Sequence, residues 1–108
     1  MAHRISTQLK KGVLDHCVLA LLAEGDRYAY DLAKRLANAI GTGQGTIYPL
    51  MRRLQSDGRV DTYLRKSTSG PPRTYYRLTE AGRACLVEQR REWHQFINSV
   101  NAIVGANS

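Results

Sequence analysis

The apolar spacing of this chain changes period near Gly58, and that switch limits the fold more than any other feature. Before it, apolar residues recur at steps of three and four, the mark of helices with one buried face. Over residues 6–23 they are Leu9, Val13, Leu14, Cys17, Val18, Leu21 and Leu22. Gly25 then offers a stop and Asp26 a cap. Residues 28–40 bury Tyr30 or Ala29, with Leu32, Ala33, Leu36 and Ile40, and leave Asp31, Lys34 and Arg35 outside. The glycine-rich residues 41–45 read as a turn. Ile47, Leu50, Met51 and Leu54 define a third helix starting at Thr46, with Pro49 in its first turn, where a missing donor costs little.

Beyond Gly58 the period falls to two. Residues 60–64 and 74–78 are short β-branched and aromatic segments around a polar loop, residues 65–73, that holds Gly70-Pro71-Pro72. Thr79-Glu80 then caps a last helix running to Val104. The predicted fold is mainly α with a small two-stranded β hairpin, in the order of a winged helix-turn-helix. Residues 1–78 would form the DNA-binding domain and residues 79–108 a C-terminal dimerisation helix, together one compact unit.

Composition excludes several classes. A length of 108 residues suits one domain and not a multi-domain enzyme. No stretch reaches a membrane span of roughly 18 apolar residues, and the start lacks a secretory signal, so the expectation is a cytoplasmic protein with no membrane partner. Cys17 and Cys85 stand 68 residues apart, and neither they nor His3, His16 and His94 have metal-ligand spacing. They read as packing residues, with no metal or cofactor. The glycine run lacks the Lys-Ser/Thr of a phosphate-binding loop. With no nucleophile elbow or carboxylate pair, no enzyme is expected.

The formal charge of +7 points to an acidic partner, and its distribution is sharper than its total. Residues 1–43 carry +2, residues 44–77 carry +5 and residues 78–108 are neutral. The surplus therefore lies on the elements a winged helix places on double-stranded DNA. On the third helix Gln44, Thr46, Tyr48, Arg52 and Arg53 lie opposite the apolar stripe and suit phosphates or base edges. Lys66 and Arg73 in the hairpin loop suit phosphates. In the last helix Leu86, Trp93, Ile97, Val100 and Val104, flanked by Phe96 and Ile103, make a stripe longer than a small domain needs, which predicts a homodimer. Two other readings stand beside these: a stripe that folds back on its own domain, and a winged-helix protein-protein interaction module in which the charge is incidental.

The run Gly45-Thr46-Ile47-Tyr48-Pro49-Leu50-Met51-Arg52-Arg53-Leu54, then Asp57-Gly58, then Gly70-Pro71-Pro72-Arg73-Thr74-Tyr75-Tyr76-Arg77-Leu78-Thr79-Glu80-Ala81-Gly82, closely resembles the signature of PadR-like transcriptional regulators. Leu19-Ala20-Leu21-Leu22 and Tyr28-Ala29-Tyr30-Asp31-Leu32 are similar to the family's first two helices. The single C-terminal helix resembles the short subfamily. The resemblance implies a homodimeric winged-helix regulator of a palindromic operator, usually a repressor. It implies DNA contacts at Thr46, Tyr48 and Arg52, with support from Lys34 and the wing. For LmrR-type short members it further implies a small aromatic effector between helices one and four, against Trp93 and the positions Leu9, Gly12 and His16. Two positions depart from that pattern: Arg90 stands where an aromatic would, and Ile97 where an acid would. A tryptophan at this place also serves simply to pack the dimer.

Overall fold

The computed structural model describes residues 12–105, so Leu9 lies outside the described residues. The elements run α1 (Val13–Glu24), β1 (Arg27–Tyr28), α2 (Ala29–Ile40), α3 (Gln44–Ser56), β2 (Val60–Ser67), β3 (Gly70–Leu78) and α4 (Glu80–Val104). The strands form one antiparallel sheet in the order β1-β3-β2. This is the winged helix-turn-helix order read from the periodicity. None of the described helices is long and apolar enough to cross a membrane.

The core forms where the apolar stripes meet. Val18, Leu19 and Leu22 of α1, Leu32 and Leu36 of α2, Ile47, Met51 and Leu54 of α3, and Val60 of β2 are all buried in one cluster. Cys17 and Cys85 pack against it, and burial pushes the Cys17 thiol above its ordinary pKa, as suits a packing residue.

Three expectations are corrected. The first helix does not run unbroken from residue 6: α1 begins at Val13, because Gly12 holds a left-handed φ of 84° that a helix interior does not allow. A short third strand precedes α2, with Arg27 and Tyr28 opposite Tyr76 and Tyr75. The Arg27 guanidinium holds this corner, donating to the Leu21 carbonyl, Asp31 and Glu24 at 3.3, 2.8 and 3.0 Å. Finally, residues 65–73 are not a loop. Pairing continues to Ser67 opposite Gly70, with a register irregularity between Arg65 and Ser67. Pro71 and Pro72 fit because β1 pairs with β3 only at Tyr75 and Tyr76, which leaves the proline stretch an edge.

The hairpin joins α4 through a close junction. The Thr79 hydroxyl accepts from the Gly82 amide at 3.0 Å and donates to the Gly58 carbonyl at 2.7 Å, capping α4 as its sequence predicted. The Thr79 amide donates to the Arg59 carbonyl at 3.1 Å, and that oxygen lies 2.1 Å from where a Cβ on Gly82 would stand. Gly82→Ala must therefore push the strand and helix apart. The expected cost is about 2–3 kcal/mol, or on the order of 10 °C in Tm by thermal denaturation. A melting point within 2 °C of wild type, a change of roughly half a kcal/mol or less, would show that the junction yields freely.

Candidate nucleic-acid interface

The geometry of α3 follows from which of its sides is buried. Ile47, Leu50, Met51 and Leu54 face the core. At about 100° per residue, Arg52 then falls almost opposite that side, with Tyr48 and Arg53 on its two flanks. Thr46, Tyr48 and Arg52 are exposed, Tyr48 at 42%, so its aromatic ring is not part of the core. The N-cap residue Gly43 gives no side-chain cap, and its carbonyl accepts from the Thr46 amide at 3.1 Å. Gln44 opens α3. Lys34 is exposed on the neighbouring α2.

Arg53 is the exception on this helix. It was expected beside Arg52 on the DNA-facing side, but its guanidinium reaches across to α1 and donates to both carboxylate oxygens of Asp15, at 2.7 and 3.0 Å. These bonds and the opposed charge raise the already high pKa of the guanidinium. Arg52 has no acidic partner among the described residues.

On the wing, Lys66 and Arg73 are exposed, and they sit on paired strands rather than on a free loop. Register places Tyr63 opposite Tyr75 and Tyr75 opposite Tyr28, so three rings share one face of the sheet, with centroids 5.8 and 5.5 Å apart. Each ring carries an arginine: Arg77 over Tyr63 at 5.4 Å, Arg65 over Tyr75 at 5.1 Å and Arg73 over Tyr28 at 4.7 Å. Such stacking restrains the guanidinium plane; Arg77 also lies 3.9 Å from the Asp61 carboxylate, whereas Arg65 and Arg73 have no acidic partner among the described residues. Arg65 and Arg77 were missed in the sequence, although their spacing of two from Tyr63 and Tyr75 was the available signal. The Tyr63 hydroxyl donates to Asp26 at 2.7 Å, which raises its pKa and holds the rim of this face.

A second feature lies away from α3. Between α1 and α4 runs an open groove of about 840 Å³ whose lining includes Gly12, His16, Glu88, Glu92, Trp93 and Phe96. The rings of His16 and Trp93 stand 6.4 Å apart, and His16 Nδ1 lies 3.3 Å from the Gln89 side-chain oxygen. The groove thus brings together Gly12, His16 and Trp93. Along α4, Trp93, Phe96 and Val104 are exposed, while Ile97 and Val100 are half-buried. Leu86 is corrected: it was expected on the pairing surface, but it is only 4% exposed because α1 and the sheet cover the first turns of α4.

Comparison with known proteins gives this arrangement a family. Residues 18–88 match the transcriptional regulator PadR-like family. A PadR-like transcriptional regulator from Bacillus cereus superposes with a TM-score of 0.84 at 32% identity, covering 91% of this chain and 97% of that one. A Streptococcus transcriptional regulator gives 0.82 at 34% identity, covering 91% and 98%. Among curated sequences, the transcriptional regulator Rv3488 of Mycobacterium tuberculosis is 41% identical over 52% of this chain and 51% of its own length. An uncharacterized protein of Lysinibacillus sphaericus is 30% identical over 82% of this chain and 85% of its own. The family groups transcriptional regulators and not enzymes, and a match over more than half its length places this chain in the PadR-like family of transcriptional regulators.

Proposed function

We propose that the protein is a homodimeric repressor that binds a palindromic operator in double-stranded DNA. The observation that carries this reading is the outward side of α3, where Thr46, Tyr48 and Arg52 stand exposed opposite a fully buried stripe. In this reading α3 enters the major groove, where the fork of Arg52 meets a guanine edge or a phosphate and Tyr48 touches the backbone. Gln44 and Lys34 flank it, and Lys66 and Arg73 of the wing neutralise phosphates alongside. Arg52→Ala should weaken binding to a duplex from the protein's own promoter region in a mobility shift. If Arg52 lies on a phosphate, it should also flatten the dependence of log K on log salt by about 0.9. Tyr48→Phe should weaken the same complex while leaving Tm within a few degrees. Equal, sequence-independent binding by wild type and Arg52→Ala would defeat this assignment and favour an interaction module instead.

The pairing surface is α4. Its 25 residues extend about 37 Å, and Trp93, Phe96 and Val104 on its second half are apolar and exposed. A second copy packed there would cover them together with Ile97 and Val100, and a two-fold dimer would set two α3 helices about 34 Å apart, one turn of DNA. Sedimentation should therefore give twice the 12.1 kDa chain mass, and Phe96→Asp should give a monomer that still folds. A wild-type monomer at micromolar concentration would contradict the pairing.

The groove is the proposed site of a small aromatic effector, stacked on Trp93 beside His16. Planar aromatic compounds should quench Trp93 fluorescence and shift the DNA affinity. A flat titration across a broad panel of such compounds would leave Trp93 as a dimer-packing residue.

A further inference from the structure

The bond pattern between α1 and α3 assigns a role to a residue that neither the charge distribution nor the apolar periodicity singles out. Asp15 follows Leu14 on a helix that Leu14, Val18, Leu19 and Leu22 anchor in the core, and its own side chain is only 16% exposed. It cannot move far. Both of its oxygens receive an N–H from Arg53, whose side chain is 55% exposed and sits in the last turn of α3. A fork held on two oxygens fixes orientation as well as distance.

We propose that Asp15 is a positioning residue for DNA reading: it turns Arg53 away from the DNA and fixes the rotation of α3, so that Tyr48 and Arg52 meet the groove in one register. The reasoning rests on the DNA-reading role of α3 given above. Side chains that discriminate bases must be held to about 0.5 Å, and rotating a helix by 10° moves the tip of a long side chain by more than that. Packing under Ile47 and Met51 holds α3 in place, and the two-point ion pair adds a second restraint on how its exposed side is turned. Two arginines adjacent in sequence thereby take separate tasks, Arg52 toward the DNA and Arg53 toward the protein.

The test uses the full-length protein and two duplexes: one enriched by wild type from a randomised pool, and a scrambled version of it. Asp15→Asn, Arg53→Gln and the double variant are compared with wild type by mobility shift over a range of salt, with folding checked by circular dichroism. Each single variant should lose about three- to tenfold of the preference for the selected duplex, and the double variant should lose no more than either single one. Scrambled-duplex affinity and the salt slope of Arg53→Gln should match wild type, an outcome that a phosphate contact could not give. A slope lower by about 0.9 for Arg53→Gln would make Arg53 a phosphate ligand and overturn the proposal. Unchanged discrimination in folded single variants, or additive losses in the double, would overturn it equally. Failure of wild type to enrich any sequence is distinguishable from these results: it would remove the DNA-reading role itself, and the positioning role with it.

Discussion

Burial of one side of α3 is the constraint from which the rest of the molecule follows. Ile47, Met51 and Leu54 are wholly enclosed by α1, α2 and the start of β2, and each such side chain contributes about 1.5–3 kcal/mol on leaving water. An exposed ion pair contributes no more than about 1 kcal/mol, so Arg53 and Asp15 cannot be what keeps α3 in place. Packing decides that the helix is there, and the ion pair can only refine how it is turned. Because the core takes one side, Thr46, Tyr48 and Arg52 have no choice but to face outward.

The same core fixes the two other working surfaces. Val60 draws β2 under α3, and the hairpin then rises from that point with its arginines on the side away from the core. The junction of Gly58, Arg59, Thr79 and Gly82 sets the direction in which α4 leaves the sheet. Covered at Leu86 but exposed at Phe96, Ile103 and Val104, α4 packs on its own domain at one end and presents apolar side chains to solvent at the other. α1 lies between these surfaces, touching α3 through Asp15 and α4 through His16, two consecutive residues.

Much of this was legible because local signals agreed with one another. The buried stripe of α3, the period-two segments and the Thr79 cap reappear as read. What failed depended on partners distant in sequence. Arg27 and Tyr28 became a strand only because Tyr75 and Tyr76 lie beside them, and nothing in a two-residue segment announces that. The prolines at 71 and 72 argued for a loop, and only the short register between β1 and β3 shows that they occupy an edge. Leu86 looked like part of one continuous stripe, since a periodicity does not say which chain covers it. The bond of Arg53 to Asp15 was not legible because its partner lies 38 residues away on another helix, a distance over which charge spacing carries no information. The stacked arginines at 65 and 77 were hidden by the loop reading of the hairpin.

The central claim is that two copies of the outward side of α3 read DNA together, and selection from a randomised duplex pool by the purified wild-type protein tests it most directly. The account predicts enrichment of an inverted repeat whose half-sites are centred about one helical turn apart. Enrichment of a single unrepeated site, or of no sequence at all, would contradict it.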